Sequence, residues 1–224
     1  MRNGFLYYIL TFIFILSSCA TSKEIKEDFR TETYKKRIAN FTENPLNEGQ
    51  IIFFGNSITQ AGDWNEYFAD FDVANRGISG DNTEGMLARI DEIIAAKPEK
   101  FFIMAGINDI SLSRSNSTII RNYTLIIQRL KEYSPQTKIF IQSILPINNN
   151  FARYKRLTGK EKQVSDLNLQ LRMLAQSENV TFINLFPFFA DSEGKLKKEL
   201  TVDGLHLNPQ AYWSWVNIIR RFVE

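Results

Sequence analysis

The sequence is poor in the two residue types that most often crosslink a fold or bind zinc. Its 224 residues include one cysteine, Cys19, and one histidine, His206. A single cysteine cannot form an intramolecular disulfide, so the fold must depend on packing alone. One histidine and one cysteine are also too few for a zinc site built from these ligands. We therefore expect neither a disulfide framework nor a metal site.

The chain also lacks an excess of charge and the common nucleotide-binding motifs. With 27 basic and 25 acidic residues its net charge is +2, which gives no general attraction to nucleic acid. Neither G-x-G-x-x-G nor G-x-x-x-x-G-K-[ST] occurs, so the usual phosphate-binding loops are missing. The nucleophile elbow G-x-S-x-G does not occur either, which argues against an α/β-hydrolase. We expect no cofactor and no nucleic-acid partner.

An apolar run near the N-terminus is expected to be a targeting segment. Residues 5–16 read FLYYILTFIFIL, and the stretch LSSC (16–19) ends at Cys19. The run is shorter than the roughly 20 apolar residues that a transmembrane helix needs, and it suits a secretory signal. LSSC resembles a bacterial lipoprotein cleavage box, which implies cleavage before Cys19 and a lipid on its sulfur. The alternatives are an uncleaved anchor and a plain secretory peptide.

This interpretation divides the chain into three parts. Residues 1–18 are predicted to be a lipoprotein signal peptide, 19–49 a tether with an N-terminal helix, and 50–224 a folded domain. The predicted location is the bacterial cell envelope, with the domain held at the membrane by its lipid on the periplasmic side or at the cell surface.

Beyond residue 49 the hydrophobic pattern predicts an α/β domain. Hydrophobic residues make up 44% of the chain, enough for one full core. Short runs rich in Ile, Val and Phe are typical of strands covered on both faces; they lie at 50–57, 72–77, 100–106, 138–145 and 180–185. Apolar stripes with helical spacing lie within 86–94, 119–130, 164–174 and 212–222. Five strands alternating with five helices predict a five-stranded parallel sheet with helices on both faces.

Polar residues that carry chemistry cluster just after the predicted strands. They are Ser57, Gly77, Gly80, Asp81, Asn108, Asp109, Asp203 and His206. The carboxyl ends of parallel strands meet at one edge of a sheet, where binding sites form. We therefore expect these distant segments to converge on one site.

Four of these segments together resemble a known family. GNSIT (55–59), RGISGDNTEG (76–85), GIND (106–109) and DGLH (203–206) resemble, in this order, the four sequence blocks of the SGNH (GDSL-type) hydrolases. The resemblance is greatest to the branch that contains acetylhydrolases of platelet-activating factor and carbohydrate acetylesterases. It implies a flavodoxin-like three-layer sandwich and ester hydrolysis without a metal.

The resemblance also implies a role for each matching residue. Ser57 would be the nucleophile, His206 its general base, and Asp203 the residue that orients the imidazole. The oxyanion hole would use the backbone N–H groups of Ser57 and Gly80 and the side-chain amide of Asn108. An imidazole suits proton transfer near neutral pH, and the glycines Gly77 and Gly80 are expected to let backbone N–H groups approach a substrate closely.

Each motif has a structural alternative when it is taken alone. Ser57 could cap the following helix, and Asp81 or Asn82 could cap another helix after a glycine-rich turn. Asn108 could belong to an Asx turn, and a lone histidine is most often a surface or core residue. The order of all four segments favours the catalytic interpretation.

The substrate is less well defined by the sequence. No long apolar loop suggests a deep acyl tunnel, so we expect a short acyl group, most simply acetyl, on a carbohydrate. The polar, basic loop 146–160 could contact a sugar through Phe151, Arg153 and Tyr154, or it could be a solvated loop. Trp64, Tyr67 and Phe68 follow Ser57 on the first of the five predicted helices, and we expect them to pack in the core rather than to line the pocket.

Two other functions stay open. The first is a lysophospholipase or thioesterase of the same family. The second is a glycan-binding lipoprotein with weakened catalysis, suggested by Asn56, since the first block of the family usually reads Gly-Asp-Ser and here reads Gly-Asn-Ser. An amide can still hydrogen-bond within the turn, but a charge beside the nucleophile is lost. The oligomeric state is left open.

Overall fold

The computed structural model describes residues 29–224, in which one parallel sheet is covered by helices. Its strands are β1 Ile51–Gly55, β2 Val73–Gly77, β3 Lys100–Met104, β4 Lys138–Gln142 and β5 Thr181–Ile183. They are all parallel and lie in the order β2-β1-β3-β4-β5. This is the strand order of flavodoxin-like folds. The predicted fold class is confirmed.

The part of the chain that the structure describes contains ten α-helices. They are α1 Glu32–Glu43, α2 Ser57–Gln60, α3 Trp64–Tyr67, α4 Thr83–Ala88, α5 Ile90–Ala95, α6 Ile107–Ser111, α7 Asn116–Tyr133, α8 Glu161–Ser177, α9 Phe186–Phe189 and α10 Pro209–Val223. Short 3-10 turns occur at Asn149–Phe151, Lys155–Leu157 and Lys198–Leu200. The long helices α7, α8 and α10 cover three of the predicted apolar stripes. The count exceeds the five predicted helices because β1, β3 and β5 each lead within three residues into a helix of four or five residues, and because two predicted helices are divided.

Aromatic rings on the central strands fix the sheet. Phe53, Phe102 and Phe140 stand in register on neighbouring strands, with ring centroids 5.1 Å and 4.5 Å apart. Trp64 stacks on Phe53 at 4.0 Å. Each offset-stacked pair contributes about 0.5–1.5 kcal/mol beyond its buried area. The prediction that segment 64–68 packs in the core is confirmed for Trp64 and Phe68, each only 1% exposed.

Two predicted helices are each divided in two. The expected helix over 86–94 breaks at Arg89, where φ is −119° and ψ is 16°. The guanidinium of Arg89 is held at the strand ends, because Nε donates to Asp81 at 2.9 Å and Nη1 to the carbonyl of Arg76 at 2.9 Å. The helix that was expected to carry both Ser57 and Trp64 ends at Gln60, and Trp64 turns back so that its indole N–H donates to the carbonyl of Thr59 at 2.9 Å.

Helix α1 lies against the domain. Phe29, Tyr34 and Phe41 form a small buried cluster with Ile78, next to the glycine-rich segment. The hydroxyl of Tyr34 donates to the carbonyl of Gly85 at 3.2 Å. These contacts dock the helix beside α4.

The N-terminal predictions fall largely outside the described residues. The predicted signal peptide 1–18 and Cys19 lie there, and the boundaries at 18 and 49 stay predictions. From residue 29 onward, no helix has both the length and the apolar character needed to cross a membrane.

Candidate active site

The first candidate residue stands where β1 turns into α2. Asn56 caps this helix, since its side-chain oxygen accepts the backbone N–H of Ile58 at 3.0 Å. Ser57 is therefore the first helical residue and not the cap, so the capping alternative for Ser57 is wrong. Its Oγ instead lies 2.9 Å from Nε2 of His206. The amide of Asn56 thus hydrogen-bonds within the turn, as expected from the sequence.

The loop 201–207 carries Asp203 and His206. An antiparallel bridge between Thr201 and Leu207 closes it, and the hydroxyl of Thr201 donates to the carbonyl of His206 at 2.6 Å. Asp203 Oδ2 lies 2.8 Å from Nδ1 of His206. The three side chains that the sequence predicts to act together are thus in contact in the order Asp203, His206, Ser57, across 149 residues of sequence between the histidine and the serine.

Hydrogen bonds keep the carboxyl group of Asp203 ionised. Its other oxygen, Oδ1, accepts the backbone N–H groups of Leu205 at 3.0 Å and His206 at 2.8 Å. Asp203 is 7% exposed. Burial alone would raise the pKa of this carboxyl, but the hydrogen bonds from His206, Tyr154 and Leu205 outweigh burial and lower it to about 2. Asp203 therefore stays charged near neutral pH and can hold a proton on Nδ1 of the imidazole.

A fourth side chain, Tyr154, belongs to this cluster. Its hydroxyl lies 2.7 Å from Asp203 Oδ2 and 3.0 Å from His206 Nδ1. From the sequence, Tyr154 was only a candidate sugar contact in a polar loop. It lies 49 residues before Asp203, so no local pattern connects the two. Only the packing of the loop 146–160 against the loop 201–207 brings them together.

In the glycine-rich segment after β2, Gly77 and Gly80 have different structural roles. A Cβ at Gly77 would lie 2.3 Å from the backbone nitrogen of Gln60. Gly77 thus lets α2 pack on the end of β2, and the expectation that it serves the approach of substrate is wrong. Gly80 has φ +80° in a turn closed by the N–H of Asp81 on the carbonyl of Ile78 at 3.1 Å. A Cβ on Gly80 would meet nothing within 4 Å, so open space lies beside its backbone.

The segment after β3 connects to the same turn. The amide of Asn108 donates to the carbonyl of Asp81 at 2.8 Å. Asn108 is half-buried in α6, so the Asx-turn alternative is wrong. Asp109 is fully buried and accepts the hydroxyl of Thr83 at 2.6 Å and its backbone N–H at 3.0 Å. Asp109 therefore supports the scaffold rather than the site.

A helix cap and a buried ion pair stabilise the turn at 78–81. Asn82 caps α4 through the N–H groups of Glu84 and Gly85, as one alternative proposed. Asp81 pairs with Arg89 at 2.9 Å, and both side chains are buried. Burial raises the pKa of Asp81 to about 6, against the opposing effect of Arg89. The carboxylate is therefore charged at neutral pH and fixes the loop that presents Gly80.

The register of the sheet explains why these segments meet. Gly55 at the end of β1 pairs with Gly77 of β2 on one side and Met104 of β3 on the other. Ser57, Gly80 and Asn108 follow these strand ends within a few residues. Tyr212 of α10 donates to the carbonyl of Ile58 at 2.7 Å, which ties the C-terminal helix to α2. The catalytic and oxyanion roles assigned to these residues stay predictions.

Comparison with known proteins gives the family. Residues 53–213 match the GDSL-like lipase/acylhydrolase family. The human platelet-activating factor acetylhydrolase IB subunit alpha1 is 26% identical over 171 residues, covering 74% of this chain and 71% of that protein. A Streptococcus pneumonia structure, provisionally named a platelet activating factor, has a TM-score of 0.75 and 27% identity, covering 88% of this chain and 94% of that one.

An acetyl xylan esterase shares the fold, with a TM-score of 0.67 and 20% identity over 78% of this chain and 100% of that one. The family predicted from the four sequence segments is thus confirmed. The chain belongs to the GDSL-like lipase/acylhydrolase family and is a serine hydrolase that acts on esters.

Proposed function

We propose that this chain hydrolyses short-chain esters, acetyl esters above all, on carbohydrates by a Ser-His-Asp acyl-enzyme mechanism. One observation carries the mechanism. Ser57 Oγ lies 2.9 Å from His206 Nε2, while Asp203 holds the opposite ring nitrogen at 2.8 Å. A serine hydroxyl becomes a useful nucleophile when a base takes its proton during attack.

In the first half-reaction Ser57 Oγ attacks the carbonyl carbon of the ester and its proton passes to His206 Nε2. The protonated imidazole carries its second proton on Nδ1, facing the Asp203 carboxylate. The same Nε2 proton then goes to the departing alcohol oxygen as the carbon–oxygen bond breaks. The products are a free alcohol and an acyl group on Ser57.

Charge develops on the carbonyl oxygen during this attack. The donors proposed for it are the N–H of Ser57, the N–H of Gly80 and the side-chain amide of Asn108. The N–H of a first helical residue has no partner within its own helix. Open space adjoins Gly80, and Asn108 is already oriented by its hydrogen bond to Asp81. Each such donor typically lowers the barrier by about 3–4 kcal/mol.

In the second half-reaction water replaces the alcohol. His206 Nε2 takes a proton from the water, whose oxygen attacks the acyl carbon, and the proton returns to Ser57 Oγ as the acid leaves. The groups are the same as in the first half-reaction, so no further residue is required.

Two observations support an acetyl group on a sugar. The human relative is named an acetylhydrolase and the fold relative an acetyl xylan esterase, so both names specify an acetyl group. The loop 146–160 is polar and basic, and it reaches the imidazole through Tyr154. A groove of about 560 Å³ between α1 and the segment 88–92 is lined by none of the proposed catalytic residues, so we do not assign it to the acyl group.

The location is proposed from the sequence alone. The apolar run 5–16 and the LSSC stretch support a lipid on Cys19 and a domain held at the bacterial envelope. A domain held there would act on envelope or extracellular glycans.

The mechanism is tested with 4-nitrophenyl acetate and the purified chain in a non-ester detergent. Ser57→Ala should lower kcat/KM at least about 1,000-fold with an unchanged melting temperature. Ser192→Ala, an exposed serine away from the four site segments, is the matched control and should keep the rate. Equal rates for the wild type and Ser57→Ala would refute the nucleophile assignment.

The substrate is tested with a series of acyl chain lengths and with acetylated xylo-oligosaccharides. We expect acetyl esters to be cleaved faster than octanoyl esters and acetate to be released from the oligosaccharides. Faster cleavage of long-chain lysophospholipids would favour the lysophospholipase alternative. Binding of the sugar without release of acetate would favour a glycan-binding protein.

A further inference from the structure

The hydroxyl of Tyr154 lies within hydrogen-bond distance of both the Asp203 carboxylate and the His206 imidazole, so the three groups form a triangle. Its distances are 2.7 Å to Asp203 Oδ2 and 3.0 Å to His206 Nδ1, and these two atoms are 2.8 Å apart. The phenol ring stands edge-on to the imidazole, with centroids 5.8 Å apart. The hydroxyl thus lies on the side of the imidazole opposite Ser57.

The proton positions in this triangle follow from chemistry. Burial, then the hydrogen bond and the charge of Asp203, raise the pKa of Tyr154 to about 12, so the phenol keeps its proton at neutral pH. A phenol has one hydrogen, and the strongest acceptor within reach is the carboxylate. Tyr154 therefore donates to Asp203 Oδ2, and its lone pairs face the N–H on Nδ1. That N–H has two acceptors, the carboxylate at 2.8 Å and the phenol oxygen at 3.0 Å.

The loop that carries Tyr154 is fixed to the catalytic loop. The backbone N–H of Asn148 donates to the carbonyl of Gly204 at 2.8 Å, between Asp203 and His206. The N–H of Leu157, a buried residue, donates to the carbonyl of Tyr154 at 2.9 Å. Tyr154 is thus held on both sides, and the alternative of a merely solvated loop does not describe it.

We propose that Tyr154 is a positioning residue of the esterase reaction, whose hydroxyl fixes Asp203 Oδ2 and the Nδ1–H of His206 so that Nε2 faces Ser57. This inference rests on the proposed Ser-His-Asp mechanism. Tyr154 acts through the carboxylate and the imidazole, not through the substrate. Its removal should therefore change proton transfer more than substrate binding.

Tyr154→Phe keeps the ring and removes the hydroxyl. Nδ1–H then loses the phenol oxygen, the neutral and weaker of its two acceptors. The carboxylate loses a donor and interacts more strongly with Nδ1–H, and this larger effect lets the imidazole hold its second proton to higher pH. Within residues 29–224, the charged and titratable groups in contact with the imidazole are Asp203 and Tyr154, with Arg153 beside the phenol. Only the phenol changes in this variant.

The first experiment measures the pH dependence of 4-nitrophenyl acetate hydrolysis by the full chain. We expect kcat to fall about 5–30-fold and KM to change less than about twofold. The midpoint of the acid limb of kcat/KM should rise by about 0.5–1 pH unit. Tyr133→Phe, which removes the hydroxyl of an exposed tyrosine at the end of α7, is the matched control and should change none of these quantities.

The second experiment does not depend on activity. The chain has one histidine, so in protein purified without a polyhistidine tag, NMR observes the imidazole of His206 alone. In Tyr154→Phe the pH at which this resonance is half-shifted should rise by the same about 0.5–1 unit. Ser57→Ala, measured beside it, reports separately on the proposed function.

The outcomes distinguish the positioning role of Tyr154 from the proposed Ser-His-Asp mechanism. An unchanged imidazole titration and an unchanged acid limb in Tyr154→Phe would overturn the positioning role. So would a large rise in KM at constant kcat, which would make Tyr154 a substrate contact. A fall in melting temperature with neither pH shift would show a purely structural role. If Ser57→Ala kept full activity while the imidazole titration still moved, the mechanism would fail although the coupling of Tyr154 to the imidazole would stand.

Discussion

Replacing Asp203 with Asn removes one negative charge from the imidazole while the size of the side chain hardly changes. The carboxylate accepts the N–H groups of Leu205 and His206 on Oδ1, and the ring N–H of His206 and the hydroxyl of Tyr154 on Oδ2. An amide offers one acceptor oxygen and two N–H donors. The two backbone donors cannot change, so the amide oxygen will face them and the NH₂ group will face the imidazole.

That arrangement forces Nδ1 to accept a hydrogen bond, so the ring proton moves to Nε2. Nε2 then has no lone pair for the hydroxyl of Ser57, which lies 2.9 Å away. The side chains keep their positions, but the imidazole is in the tautomer that cannot accept the proton of Ser57. We expect kcat/KM at pH 7 to fall about 1,000- to 10,000-fold, as for other Ser-His-Asp enzymes that lose this carboxylate.

The same carboxylate contributes to stability in a way that depends on pH. Its pKa is lowered from 3.8 to about 2 in the folded protein. At about 1.4 kcal/mol for each pKa unit, this contributes about 2 kcal/mol to the free energy of unfolding. A lowered folded pKa means that the contribution is fully present above pH 5, is about half lost at pH 3, and is lost by about pH 1.

Urea unfolding of the wild type and Asp203→Asn from pH 7 down to pH 3 measures this difference directly. We expect the variant to be less stable by about 2 kcal/mol at pH 7 and by about half as much at pH 3. Asp70→Asn, which changes an exposed carboxyl, is the control and should change neither activity nor stability. A stability difference that stayed constant with pH, or a loss of turnover below tenfold, would refute the reasoning.

Two further variants test the groups around the turn at 78–81. Asn108→Ala should lower kcat about 100- to 1,000-fold with little change in KM, because it removes a donor needed only as charge develops on the oxyanion; a change confined to KM would contradict this role. Arg89→Met leaves the buried Asp81 carboxylate without its ion pair, 2.9 Å long in the folded protein, and should lower the free energy of unfolding by about 3–5 kcal/mol in urea titrations. A loss below about 1 kcal/mol would show that the pair is not needed to hold the turn.

The sequence predicted the strands better than the short helices. Apart from β2, which includes Asn75 and Arg76, the strands are local apolar runs. β1 and β3, in which all residues are buried, could therefore be recognised without their neighbours. The helix break at Arg89 could not be recognised in this way, because it depends on contacts with the ends of β1 and β2. One of these contacts is the carbonyl of Gly55, 3.2 Å from the guanidinium. Periodicity alone reads the residues around it as one helix.

The site shows the same division between local and distant information. Asp203 and His206 stand three residues apart, and their contact follows from one short loop. Tyr154 reaches them from another loop and carries no motif, so it could only be found from the packing. The role of Gly77 was also wrongly inferred, because the nearest obstacle to a Cβ there is the backbone of α2 and not an empty site.

The attachment of α10 to α2 through Tyr212 and Ile58 has a consequence for biosynthesis. A growing polypeptide that has emerged as far as Ile183 already contains every strand of the sheet and Ser57. The proposed base and its carboxylate arrive only with the segment 201–224, which also carries Tyr212, the residue that binds α10 to α2. With these roles, a chain that lacks residues 201–224 carries an inert serine, and ester cleavage starts only once this segment has docked.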